Sequence, residues 1–91
     1  MSRVNTIYDD RYRSIISLLV SIRAEHKISQ LDLAKHLNMR QSDISKIETF
    51  VRRADLLEIF DYLQAISDLS EIEDSSFTIT TWNKIYEAIK K

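Results

Sequence analysis

The chain has no glycine, no proline and no cysteine. Each absence removes a class of structure. Without cysteine there is no disulfide framework and no thiolate metal site, which suits a reducing, cytoplasmic setting. Tight β-hairpins lean on glycine, so an all-β fold is disfavoured, and a glycine-rich phosphate loop has nothing to be built from. Every sharp turn must instead use Asn, Asp, Ser or Thr. Long apolar runs are missing too: none approaches the ~18 residues of a membrane span. The opening MSRVNTIYDDRYR lacks the apolar stretch of a secretory signal. What is left, at 91 residues, is the length of one small domain. Such a chain buries only about 60–65% of its unfolded surface, a thin margin that a second copy would relieve.

Net charge is −1, but it is unevenly spread. Residues 23–53 carry seven bases (Arg23, Lys27, Lys35, Arg40, Lys46, Arg52 and Arg53) against four acids. Residues 54–91 carry three bases against eight acids. A basic centre on a near-neutral chain is compatible with a nucleic-acid partner, although charge alone does not establish one.

Hydrophobic periodicity reads as helices. Asp9 or Asp10 can cap a first helix, and Tyr12, Ile15, Ile16, Leu19 and Ile22 give it one apolar face as far as about Glu25. Ser29-x-x-Asp32 is a capping-box variant that opens a second helix, with Leu33, Ala34 and Leu37 inward. Asn38 suits its left-handed C-cap. A third helix spans about Gln41 to Thr49, with Ile44 and Ile47 inward. Asp55 to Glu58 is laid out as another capping box. It opens a fourth helix whose expected apolar face is Leu56, Leu57, Phe60, Leu63 and Ile66. Phe77-Thr78-Ile79-Thr80 alternates in a way that allows a short strand. Trp82, Ile85, Tyr86 and Ile89 then mark an amphipathic terminal helix. The division expected is a domain over 1–66 and a C-terminal extension over 67–91.

The stretch Gln30 to Glu48, QLDLAKHLNMRQSDISKIE, carries the most specific spacing. It fits a helix-turn-helix of about twenty residues. Ala34 is the small side chain needed where the two helices cross, and Asn38 makes the left-handed turn. Leu33, Leu37, Ile44 and Ile47 hold the angle between the helices. This pattern resembles the XRE family of repressors related to the lambdoid phage Cro and repressor proteins, over roughly Arg13 to Ile66. The chain departs from the family at Asn38, where glycine is usual, and at Arg40, where a Ser or Thr cap is common.

The resemblance implies an all-α, lambda-repressor-like domain of four to five helices that binds double-stranded DNA. By position it implies a structural ion pair between Arg23 and Glu48. It places Gln41, Ser42 and Lys46 outward on the recognition helix, with Ser45 in reach. The chemistry agrees, since Gln can pair with adenine and Lys can donate to guanine O6 and N7. Gln30, at the start of the second helix, and Arg40, Lys35, Arg52 and Arg53 are the phosphate candidates. Asp43 is read as a first-turn residue that stabilises its helix.

Other chemistry has little to stand on. His26 and His36 have no ligand-like spacing, and His36 pairs more naturally with Asp32 on the helix surface. Glu71, Glu73 and Asp74 read as a solvated acidic turn, and no metal or cofactor is expected. The C-terminal apolar residues Phe77, Ile79, Trp82, Ile85, Tyr86 and Ile89 either close the core or meet a partner. A homodimer is the preferred partner reading, because regulators of this size bind palindromes as dimers. The rival is an antitoxin that binds operator DNA through the helix-turn-helix and a toxin through the tail.

Overall fold

The structure, a computed structural model, describes residues 6–70 and 76–90. It is all-helical, and no strand occurs among the described residues. A single 3₁₀ turn at Thr6–Tyr8 leads into α1 (Asp10–Glu25), α2 (Gln30–Leu37), α3 (Gln41–Glu48), α4 (Leu56–Leu69) and α5 (Ser76–Ile89). No described helix is long and apolar enough to cross a membrane.

The helix starts follow from short polar side chains. Asp9 accepts a hydrogen bond from the Arg11 backbone N–H, and Ser29 from that of Asp32. At α4 the box is reciprocal: Asp55 takes the Glu58 N–H and Glu58 takes the Asp55 N–H. Each arrangement satisfies N–H groups that the first turn leaves open, worth about 1 kcal/mol per cap.

The helix ends follow from a less legible device. Lys27, Asn38 and Phe50 all have positive φ, at 59°, 55° and 63°. Each is followed by a residue whose N–H reaches back five positions: Ile28 to Arg23 O, Met39 to Ala34 O and Val51 to Lys46 O, at 3.1, 2.9 and 2.8 Å. The positive-φ residue itself bonds three positions back, to Ala24, Lys35 and Ile47 respectively. These paired bonds make three Schellman motifs in succession, ending α1, α2 and α3. Glycine would fill the left-handed position at no steric cost. Here a lysine, an asparagine and a phenylalanine fill it.

One core unites the helices. Ile16, Leu19, Leu33, Ile44, Leu63 and Ile66 are its fully buried centre, and α5 adds Ile85. The α5 helix packs on α1 and α4, so residues after 66 share this core. The expected boundary at 66 falls inside α4.

Two expectations are corrected. Phe77–Thr80 is the start of α5, not a strand. A four-residue strand has no partner here with which to share hydrogen bonds, while the helix satisfies its own backbone. On α4 the inward face is Ile59, Tyr62, Leu63, Ala65 and Ile66, whereas Leu56, Leu57 and Phe60 are exposed. Residues 59, 62, 63 and 66 form the complete i, i+3, i+4, i+7 stripe. Leu56, Leu57 and Phe60 lie off it.

Candidate functional site

The site is the outer surface of α3, and its position is set by what α3 packs on. This helix packs mainly against α2 and α1, and its last residue, Glu48, also reaches Tyr62 of α4. Ile44 and Ile47 anchor one side of it in the core, opposite Leu33 and Ala34 of α2. The small Ala34 side chain is buried, which lets the two helices approach closely. Asn38, left-handed as expected, reverses the chain between them.

A buried carboxylate fixes the far end of α3. Glu48, whose side chain is only 4% exposed, forms a two-pronged ion pair with Arg23 of α1. Arg23 Nε donates to Oε2 at 2.8 Å and Nη2 to Oε1 at 2.7 Å. Gln30 Nε2 of α2 donates to Oε1 at 2.9 Å, and the Tyr62 hydroxyl of α4 donates to Oε2. Arg23 Nη1 also donates to the Ile28 carbonyl at 2.8 Å. Four helices are therefore joined at one carboxylate. Burial alone would push the Glu48 carboxyl up. The donors Arg23, Tyr62 and Gln30 outweigh it and hold the group below its ordinary 4.5. Burial, then the bond to Glu48, pushes the Tyr62 phenol far above its ordinary 10.0.

The opposite side of α3 is polar and open. Gln41, Ser42, Lys46 and Thr49 are exposed and Ser45 is half-buried, so these five residues form one strip along the helix. Thr49, the last residue of the expected third helix, joins the strip at its C-cap, where its hydroxyl donates to the Ser45 carbonyl at 2.7 Å. Its spacing of four from Ser45 and three from Lys46 is the signal that places it there. Arg40 precedes the helix in extended conformation and makes no side-chain cap. Its exposed guanidinium stands at the helix entrance, and Lys35 is exposed on α2. Asp43 is half-buried, and its charge acts on Arg52, away from the strip.

Several candidates are placed elsewhere. Gln30 Nε2 donates to Glu48, so this side chain braces the fold. Arg52 is held by Glu58 at 2.5 Å, with its Nη1 buried and without a hydrogen-bond partner. The Glu58 bond, aided by the charges of Asp43 and Asp55, raises its pKa. Arg53 is exposed but lines a groove beside Tyr12 and Asp55 at the start of α4. His36 pairs with Asp68 of α4 at 3.0 Å, not with Asp32, because α2 lies against α4. In α5, Ile85 is buried and Trp82 packs on the core, so both close this chain's own interior. Tyr86 is exposed. The side chains of Phe77, Ile79 and Ile89, and residues Glu71, Glu73 and Asp74, lie outside the described part of the structure.

No family model and no curated protein matches the chain.

Proposed function

We propose that this protein binds double-stranded DNA sequence-specifically through α3 and acts as a transcriptional repressor by occupying promoter DNA. The observation that carries the reading is the strip Gln41, Ser42, Ser45, Lys46 and Thr49 along α3, on the side away from buried Ile44 and Ile47. All five side chains can donate or accept hydrogen bonds, and no large apolar group interrupts them. Two short helices held around a left-handed Asn38 have the layout of a helix-turn-helix, in which the second helix enters the major groove. The likeness to XRE-type repressors supports the same assignment.

The charges fit that geometry. Lys46 lies within the strip, exposed Arg40 stands at the entrance of α3 and Lys35 is exposed on α2, while Asp61 and Asp68 lie on α4. Phosphate contacts position such a helix and base-edge contacts specify the sequence. Gln41 and Lys46 have the chemistry for adenine and guanine edges. Arg40 and Lys35 are the phosphate contacts. Gln30 and Arg52 are left out of the interface because their polar groups are engaged within the fold.

The test is selection from random duplex DNA by the full-length protein. The reading expects one enriched motif arranged as an inverted repeat, with half-sites about one helical turn apart, as a homodimer requires. Weak binding of all duplexes alike, with no enrichment, overturns it.

A further inference from the structure

We infer that a second copy of this chain docks on the exposed N-terminal half of α4, through Leu56, Leu57 and Phe60. Leu56 and Leu57 are each 71% exposed and Phe60 43%, in a protein whose other large aliphatic side chains mostly close its core. At i, i+1 and i+4 the three stand side by side as a ridge. Val51, 69% exposed, comes just before them in the chain. Together they expose a few hundred Å² of apolar surface, the size of a monomer's largest and often functional patch.

The occupant follows from what adjoins the ridge. Between the start of α1 and the start of α4 lies an open groove of about 390 Å³, with Tyr12, Ile15 and Ala54 among its walls. The groove ends at Asp55, and the ridge begins at the next residue. An apolar ridge beside an apolar groove on one face is self-complementary: a two-fold axis places each copy's ridge in the other's groove. The groove's charged lining is balanced, with Arg11 and Arg53 against Asp9 and Asp55, so no net charge opposes the approach of a second copy. Two ridges and two groove walls supply the apolar part of an interface of about 1,200 Å², the lower end for a specific dimer.

The choice of a second copy also rests on the DNA-binding reading. Val51 lies just past the end of α3, so a two-fold axis at this face brings the ends of the two α3 helices toward each other. This differs from dimerisation through the C-terminal segment, where Trp82 and Ile85 are already used in the core.

Sedimentation equilibrium of the full chain, without DNA, tests the inference. The wild type should reach twice its 10.7 kDa mass at concentrations up to about 100 µM. Leu57→Asp and Phe60→Asp should each weaken association at least tenfold, with unchanged helical circular dichroism. Tyr86→Asp, on exposed α5 surface, should leave it intact. Because the chain has no cysteine, Leu57→Cys adds a single thiol, and a short bis-maleimide should link two copies by adding one thiol to each of its double bonds. A monomeric wild type, a Leu57→Asp protein that stays dimeric, or loss of the dimer in Tyr86→Asp alone overturns the inference. A dimer broken by Leu57→Asp whose wild type selects no DNA motif leaves the interface standing and overturns only the DNA-binding reading.

Discussion

Replacing Glu48 by Ala strips the acceptor from three donors on three other helices: Arg23, Gln30 and Tyr62. The Arg23 side chain is only 14% exposed, so its guanidinium stays largely out of water and loses its counter-charge. Breaking a buried pair on one side costs about 3–5 kcal/mol, because the remaining charge is left uncompensated. A domain of this length holds about 5–14 kcal/mol in all. The variant should therefore melt roughly 15–30 °C lower than wild type, with a matching fall in urea midpoint by circular dichroism. Arg23→Met with Glu48→Met should lose less, since paired apolar residues carry no buried charge. Protonation acts on the same group. Glu48 titrates below its ordinary 4.5 when folded, so its stabilisation is full above that pH and drains as pH falls through the folded value. The Tyr62 phenol is raised above 10.0, so its contribution is full below pH 10 and is lost as pH rises toward the folded value. Stability should show a plateau between those limits, and Tyr62→Phe, which removes the alkaline titration, should extend it on that side. A Glu48→Ala protein within about 1 kcal/mol of wild type, the value of a surface pair, would refute the claim that this carboxylate clamps α3.

The helix ends make a second test. Lys27→Gly should raise the urea midpoint, with a gain of about 0.5–1 kcal/mol after the added chain entropy is counted, whereas Lys27→Ala keeps the β-carbon and should gain nothing. The corrected face of α4 makes a third: Leu63→Ala should cost about 2–5 kcal/mol, while Leu56→Ala should stay within about 0.5 kcal/mol when measured on monomeric protein. Equal losses at both positions would return Leu56 to the core. Arg40→Ser separates cap from contact. It should add about 1 kcal/mol of stability by capping α3 and reduce the slope of log affinity against log salt by about 1. A fluorescence-anisotropy titration with an unchanged slope would remove Arg40 from the phosphate set.

Much of the architecture is legible in the sequence because it is local. Asp9, Ser29 and Asp55 announce their helices through side chains that reach a backbone N–H two or three residues on. Asn38 announces its turn because asparagine tolerates the left-handed region. Lys27 and Phe50 adopt that region without any such mark, since tertiary packing and the Schellman bonds, not residue preference, hold them there. The α4 face was misread because two overlapping stripes share Leu63 and Ile66, and only the neighbouring helices decide between them. At Phe77–Thr80, β-branched residues favour a strand locally, but no partner strand exists among the described residues. In the candidate site, the outward strip on α3 follows from helical spacing once Ile44 and Ile47 are fixed inward. What spacing does not reveal is competition for a side chain: Gln30 and Arg52 look available until Glu48 and Glu58 are brought beside them.

The central claim is that α3 reads base edges, and a base-by-base binding profile tests it most directly. Wild type, Gln41→Ala and Lys46→Ala would be titrated against the selected duplex and all its single-base variants at one salt concentration. Each alanine variant should lose discrimination at its own one or two positions, by about 1–3 kcal/mol per lost contact, and keep the wild-type profile elsewhere. Profiles that keep their shape and merely weaken at every position alike would contradict base reading by α3.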